Sequence, residues 1–260
     1  MIDSHCHLDS IRFDVDRIDL LARAEAAGVS DLIVPGVTPD TWEALVDLKS
    51  SAPRIHVALG VHPQALAEMK PSADDAAMIH LERLLQRGVA LAVGECGLDG
   101  PTLPLAPIDR QLSILKKHWD LSVHYQLPII VHCFRTHPQF QAFLKSATTR
   151  PPAIVLHSYS GSAELVPFYT SHGCYFSFAG PITYPGARRP VEALRAVPLD
   201  RLLIETDAPA QSPHPFRGQR NEPSHLGLVA QAVARERTIP VDTVVDLTSA
   251  NAKAVFWPHS

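Results

Sequence analysis

The chain has 260 residues, 46% of them apolar, with 27 acidic and 23 basic side chains and a net charge of −4. This is the size of a (β/α)8 barrel, and the apolar share excludes a disordered chain. The acidic balance argues against a broad basic face for gripping a long duplex, although bound cations would add positive charge locally. In chain order, residues 2–7 read as the first strand. The run Ile2-Asp3-Ser4-His5-Cys6-His7-Leu8 places His5 and His7 two apart, on one strand face. A helix follows, with Val15, Ile18, Leu21 and Ala22 at helical spacing. Apolar runs at 30–35 and 54–59 predict the second and third strands, the third leading into Leu59-Gly60-Val61-His62-Pro63. The run at 89–94 closes on Glu95, and Leu112, Leu115, Trp119 and Val123 mark the next long helix. Strands near 128–132 and 152–156 close on His132 and His157. The last two, at 173–178 and 201–205, lead to Asp207. Gly28, Gly88 and Gly173 stand where helices should stop.

Eight strand–helix units of roughly 32 residues each predict a parallel sheet closed as a TIM (β/α)8 barrel, one domain over residues 1–260. The rival is an open doubly wound sheet, which usually begins with a glycine-rich turn after the first strand. Here that turn is Leu8-Asp9-Ser10. Two proline clusters, Pro101-Pro104-Pro107 and Pro209-Pro213-Pro215, fall in loops after strands, the face on which barrel enzymes work.

His5, His7, Glu95, His132, His157 and Asp207 all sit at predicted C-terminal strand ends. Any one of them reads equally well as a satisfied structural polar residue. Six together at the mouth of one barrel point to metal ligands. They exceed the needs of one tetrahedral ion but suit two divalent ions (Zn, Mg or Mn) about 4 Å apart, with positions left for water and substrate. His62 enters the same mouth as a candidate substrate contact, or else packs on Pro63. Glu205 shares a strand face with Asp207 and is expected to orient a ligand. Arg135 and Arg217 are candidate phosphate contacts, or else solvated surface charges. His80, His118 and His124 in helical segments, and His259 near the end of the sequence, carry no expected role.

The four cysteines, Cys6, Cys96, Cys133 and Cys174, form neither a C-x-x-C pair nor a disulfide pattern, which fits a reducing, cytoplasmic setting. Three of them adjoin a candidate ligand, so on a strand they should face away from it as small apolar groups. No signal peptide and no membrane-spanning run is expected.

His5-x-His7, Gly94-Glu95-Cys96-Gly97-Leu98-Asp99, His132, His157-Ser-Tyr-Ser-Gly161-Ser, Glu205-Thr-Asp-Ala-Pro209 and Arg220-Asn-Glu-Pro223 resemble the TatD family of metal-dependent hydrolases, in family order and over nearly the whole chain. Ser177-Phe-Ala-Gly-Pro-Ile-Thr-Tyr184 and Gly218-Gln219 are similar to its YjjV-like branch. The resemblance implies the TIM-barrel fold of the amidohydrolase superfamily. It implies one ion on His5, His7, Glu95 and Asp207, and a second on Glu95, His132 and His157. It further implies phosphodiester chemistry, commonly 3′→5′ trimming of DNA. The chain departs from the family on the substrate side. Phe134 stands where an arginine is usual, Ala210-Gln211 replaces tyrosine-leucine after Pro209, and Gly100-Pro101 replaces an aromatic after Asp99.

The expected function is therefore a phosphodiesterase or deoxyribonuclease acting on DNA ends or small phosphodiesters. Metal-activated water would attack phosphorus, Asp207 would take its proton and Glu95 would assist. Amide or ester hydrolysis, including deacylation of mischarged aminoacyl-tRNA, uses the same centre and is the alternative. A non-catalytic metal-binding barrel is the other. No membrane partner is expected, and a monomer is favoured over an oligomer.

Overall fold

The computed structural model describes residues 1–48 and 50–258, so His259 lies outside the described residues. The strands are β1 (Ile2–Asp3), β2 (Asp31–Gly36), β3 (Arg54–Leu59), β4 (Ala92–Asp99), β5 (Ile129–Phe134), β6 (Ile154–Leu156), β7 (Cys174–Phe178) and β8 (Leu202–Ile204). Ten α-helices alternate with them among the described residues: α1 (Arg17–Ala26), α2 (Trp42–Asp47), α3 (Pro63–Glu68), α4 (Asp74–Gln86), α5 (Ile108–Tyr125), α6 (His137–Ser146), α7 (Val166–Ser171), α8 (Arg188–Ala196), α9 (Leu226–Arg237) and α10 (Val241–Phe256). The strands form one eight-stranded sheet in chain order, parallel at each recorded pairing. Ser4 N donates to Ile204 O at 3.2 Å, bringing β8 back beside β1. This is the (β/α)8 topology of a TIM barrel, as the strand–helix alternation predicts. No helix among the described residues is long and apolar enough to cross a membrane.

The contacts gather into two compact units. One comprises Met1–Val34, Leu48–His56 and Gly161–Ser260. Phe13, Leu20, Tyr169, Phe176 and Phe178 are fully or almost fully buried in it. Arg220 forks onto both oxygens of Asp16 (2.7 and 2.6 Å), and Arg23 pairs with Glu222 (2.6 Å), fastening α1 to the turn that precedes α9. The hydrogen bond from Arg220 outweighs burial and holds the Asp16 carboxyl at about 2.

The first helix differs from the sequence expectation. It starts only at Arg17, so Val15 lies outside it, and Leu20 and Ala24 are the buried residues. Arg17 shares their face and donates to Leu8 O at 3.0 Å, which sets the helix's rotation. Val15 and Ile18 are 90% and 84% exposed.

The other unit comprises Pro35–Asp47 and Val57–Ser160. Trp42, Trp119 and Phe140 are its largest buried side chains. In α5, Leu115 and Trp119 are buried as the spacing predicts, while Leu112 and Val123 lie at the edge of the buried face. His118, read from the sequence as a plain helical residue, is fully buried on that face. Its Nδ1–H donates to Ile114 O (2.8 Å) and its Nε2 accepts from Val61 N (3.0 Å), a pairing that only the neutral imidazole can make.

Two strand limits also differ from expectation. β1 is short because the N–H groups of Ser4 and Cys6, which would face the same neighbour in a regular strand, go instead to Ile204 on β8 and Ile33 on β2. β4 continues past Glu95 to Asp99 through a register shift between Val93 and Cys96. Gly97 permits it: a Cβ there would lie 2.0 Å from His132 O.

Two stability measurements test this packing. Leu20→Ala should cost about 2–5 kcal/mol in denaturant unfolding, whereas Ile18→Ala should stay within about 0.5 kcal/mol. Equal costs would place the core face of α1 wrongly. Burial pulls the His118 pKa down to about 4, against about 6.5 in the unfolded chain. The unfolded state therefore binds the extra proton between these values. The stability tied to neutral His118 is present above about 6.5 and lost as pH falls towards 4, amounting to about 2 kcal/mol by pH 5. In urea titrations of chelator-treated protein, His118→Gln should be less stable at pH 7 and flatter between pH 7 and 5. A parallel pH profile would exclude His118 as the titrating group.

Candidate metal centre

The first donor set lies where β1 and β8 end. His5 Nε2 and His7 Nε2 are 3.2 Å apart, and Asp207 Oδ1 is 3.7 and 3.4 Å from them. His5 and Asp207 are buried and His7 half-buried. A tetrahedral ion with bonds of about 2.0–2.1 Å separates its donors by about 3.4 Å, so these edges fit one ion.

The backbone that presents them is held by buried polar groups. Asp3 Oδ1 accepts from Thr206 N (2.9 Å) and His5 N (3.3 Å), and its Oδ2 accepts from Thr206 Oγ1 (2.6 Å). Burial, with the nearby Glu205 carboxylate adding to it and the hydrogen bonds opposing it, raises the Asp3 pKa to about 7. Asp207 has φ +53°, in the left-handed region. Its N–H donates to His5 O at 2.9 Å, and its carbonyl accepts from Ala210 N at 2.9 Å. Asn221 Nδ2 donates to Thr206 O and Ala210 O, 2.8 Å each, closing this turn from outside. Glu205 is fully buried beside these residues.

The second set lies on β4, β5 and the residue after β6. Glu95 Oε1 is 3.0 Å from His132 Nδ1 and 2.7 Å from His157 Nε2, and the two imidazole nitrogens are 3.1 Å apart. An ion with octahedral bonds of about 2.1 Å gives edges near 3.0 Å. His132 Nε2 donates to Asp99 Oδ2 at 3.0 Å, which leaves Nδ1 with its lone pair for an ion. Burial opposes charge on both partners, but the hydrogen bonds win: His132 is raised and Asp99 lowered. Asp99 is itself fixed, accepting from Thr102 N (2.9 Å) and donating its own N–H to Gln111 Oε1 (2.7 Å).

His62 belongs to this set rather than to an outlying loop. Its Nδ1 accepts from Gln64 N (3.1 Å), capping α3, so its proton sits on Nε2, 3.1 Å from Glu95 Oε1. Burial lowers its pKa. The Arg135 guanidinium lies 5.1 Å from the Phe134 ring and that of Arg217 lies 4.5 Å from the Tyr184 ring, and neither has a carboxylate partner among the described residues. Arg220, by contrast, is taken up by Asp16.

All four cysteines are buried thiols outside any disulfide. Cys6 and Cys96 point their thiols at the Ala208 and Ile130 carbonyls, and burial raises both pKa values well above normal. The structure thus brings His5, His7 and Asp207 together in one set and Glu95, His132 and His157 in the other. It adds Asp99, Asp3 and Asn221, which the sequence reading left without a role. Asp99 carried a signal, standing four residues from Glu95 on the same strand. Asn221 gave only its place in Arg220-Asn-Glu-Pro223.

The sequence profile of TatD related DNases matches residues 2–257. The metal-dependent hydrolase YabD of Bacillus subtilis (strain 168) is 32% identical, covering 98% of each chain. The 3′-5′ ssDNA/RNA exonuclease TatD of Erwinia amylovora is 33% identical, over 98% of this chain and 99% of its own. The crystal structure of the TatD homologue YjjV from Escherichia coli K12 superposes with a TM-score of 0.89 at 32% identity, over 98% of this chain and 97% of that one. With the fold of YjjV and a family match over residues 2–257, this chain belongs to the TatD family of metal-dependent hydrolases.

Proposed function

We propose that the two donor sets serve one centre of two divalent ions that cleaves phosphodiesters at single-stranded nucleic-acid ends, the whole chain acting as one hydrolase domain. In this reading His5, His7 and Asp207 hold one ion, His132 and His157 hold the other, and Glu95 is shared. The observation that carries it is the donor spacing in each set, between 2.7 and 3.7 Å, which matches ligand edges around an ion. The TatD exonuclease of Erwinia amylovora supports the substrate class.

When bound, the ions supply Lewis acidity and bring the pKa of water towards neutrality. Asp207 turns Oδ1 towards the imidazoles of its set and is placed to accept the proton of the attacking water. His62 directs its one N–H at Glu95 Oε1, and in this reading it would turn that proton to a phosphate oxygen once Glu95 held an ion. Asp99 holds the His132 ring in the tautomer that binds metal. Arg135 and Arg217 are the free guanidinium groups for phosphate, and the rings beside them offer faces on which bases can stack. Four buried thiols suit a cytoplasmic enzyme.

Purified, metal-quantified protein should turn over a chromogenic phosphodiester, lose that activity to chelator and regain it with Zn or Mn. Asp207→Asn should lower kcat by about 10²–10⁴-fold with an unchanged melting temperature. Near-parental turnover in metal-replete buffer would remove Asp207 from the chemistry. A screen that adds aminoacyl esters decides between phosphodiester and ester hydrolysis, since faster ester turnover would reassign the substrate.

In this reading two arginines, Arg135 and Arg217, serve phosphate, which predicts a shallow salt dependence on single strands, a log–log slope of about −1.5. A linear oligonucleotide should be trimmed while a covalently closed circle survives. Rapid nicking of the circle, or a slope several times steeper, would show a grip on long nucleic acid instead.

A further inference from the structure

Gln211 Nε2 lies 2.5 Å from Asp207 Oδ2. An ionised carboxylate only accepts, so the amide must turn its NH2 to it, a contact that leucine cannot make. The two oxygens of Asp207 are therefore divided: Oδ2 faces Gln211, and Oδ1 faces His7 and His5 at 3.4 and 3.7 Å.

The Gln211 backbone is fixed before its side chain acts. Its φ is +50°, in the left-handed region. Gly180 lies so close that a Cβ there would stand 1.9 Å from Gln211 O. Asn221 holds the preceding carbonyl, Ala210 O, at 2.8 Å, and Tyr184 donates to the following one, Ser212 O, at 2.9 Å. A side chain on so constrained a segment loses little further freedom in making its bond.

We propose that Gln211 is a positioning residue that makes Asp207 a one-oxygen donor. By occupying Oδ2 it excludes the carboxylate rotation that would offer both oxygens to an ion, and it keeps Oδ1 on the side of the imidazoles. This rests on the reading of Asp207 as a ligand and base given above. In this reading Gln211 acts through the Asp207 carboxylate, so its removal should change how tightly the ion is held and how fast the chemistry runs, but not how substrate binds.

The experiment is a double-mutant cycle on the full chain with Gln211→Leu, Asp207→Asn and the pair. Zinc affinity is read by chelator competition, and kcat and KM are read with a chromogenic phosphodiester. Gln211→Leu should weaken zinc binding by about tenfold or more and lower kcat by a similar factor, with KM within about twofold and an unchanged melting temperature. In the Asp207→Asn background the same change should alter zinc affinity by less than about twofold, because the coupling is to the carboxylate. Parental affinity and kcat in Gln211→Leu, beside a damaged Asp207→Asn, would overturn this inference alone. An equal loss in both backgrounds would also overturn it, since Gln211 would then act through the fold. If Asp207→Asn itself binds zinc and turns over like the parent, both the assignment of Asp207 and this inference fall.

Discussion

The buried carboxylate of Asp3 is the joint on which one half of the chemistry rests. It stands on the first strand yet accepts the amide and hydroxyl of Thr206 just beyond the last one, and it also takes the amide of His5. Those two backbone points carry candidate metal donors: His5 is one of them, and Asp207 follows Thr206 directly. A carboxylate in such a place costs solvation, which its raised pKa records. What it supplies in return is register between segments 200 residues apart. Removing it would strand two buried amides and a hydroxyl, and so disturb both candidate donors together.

The second donor set uses the same device with the partners exchanged. Here the supporting carboxylate, Asp99, acts on a ligand ring rather than on backbone, choosing which nitrogen of His132 keeps its proton. His62 is settled in turn by the amide of Gln64, which takes its Nδ1 and leaves the Nε2 proton facing inward. These two imidazoles therefore have their tautomers assigned by a neighbour, the Asp99 carboxylate for His132 and the Gln64 amide for His62. His118 extends the pattern one layer outward, its ring receiving the Val61 amide immediately before His62.

Much of this was legible in the sequence. Six of the strands sit within about two residues of where apolar runs placed them, because a strand buried on both faces leaves an unbroken apolar signature. β1 and β4 are the exceptions: the chain around His5 switches hydrogen-bonding neighbour and β4 runs on through a register shift, which no pattern of side chains records. Glu95, His132, His157 and Asp207 stood out because each follows such a run abruptly, and His5 and His7 because they stand two apart on one strand face. What could not be read was support. Asp3 and Asn221 look like ordinary polar residues until their partners, some 200 and 15 positions away, are known. The face of α1 was misjudged because Val15 and Ile18 fit the helical period. The rotation of that helix is fixed instead by Arg17 reaching the Leu8 carbonyl, a backbone contact that periodicity does not encode.

The separation of His5 and His7 from Asp207 along the chain has a consequence for synthesis. The ribosome delivers the two histidines almost at once, but Asp207 follows only some 200 residues later. Asn221, which clamps the turn carrying it, comes later still. A nascent or prematurely terminated chain thus lacks the Asp3–Thr206 brace and the carboxylate it presents.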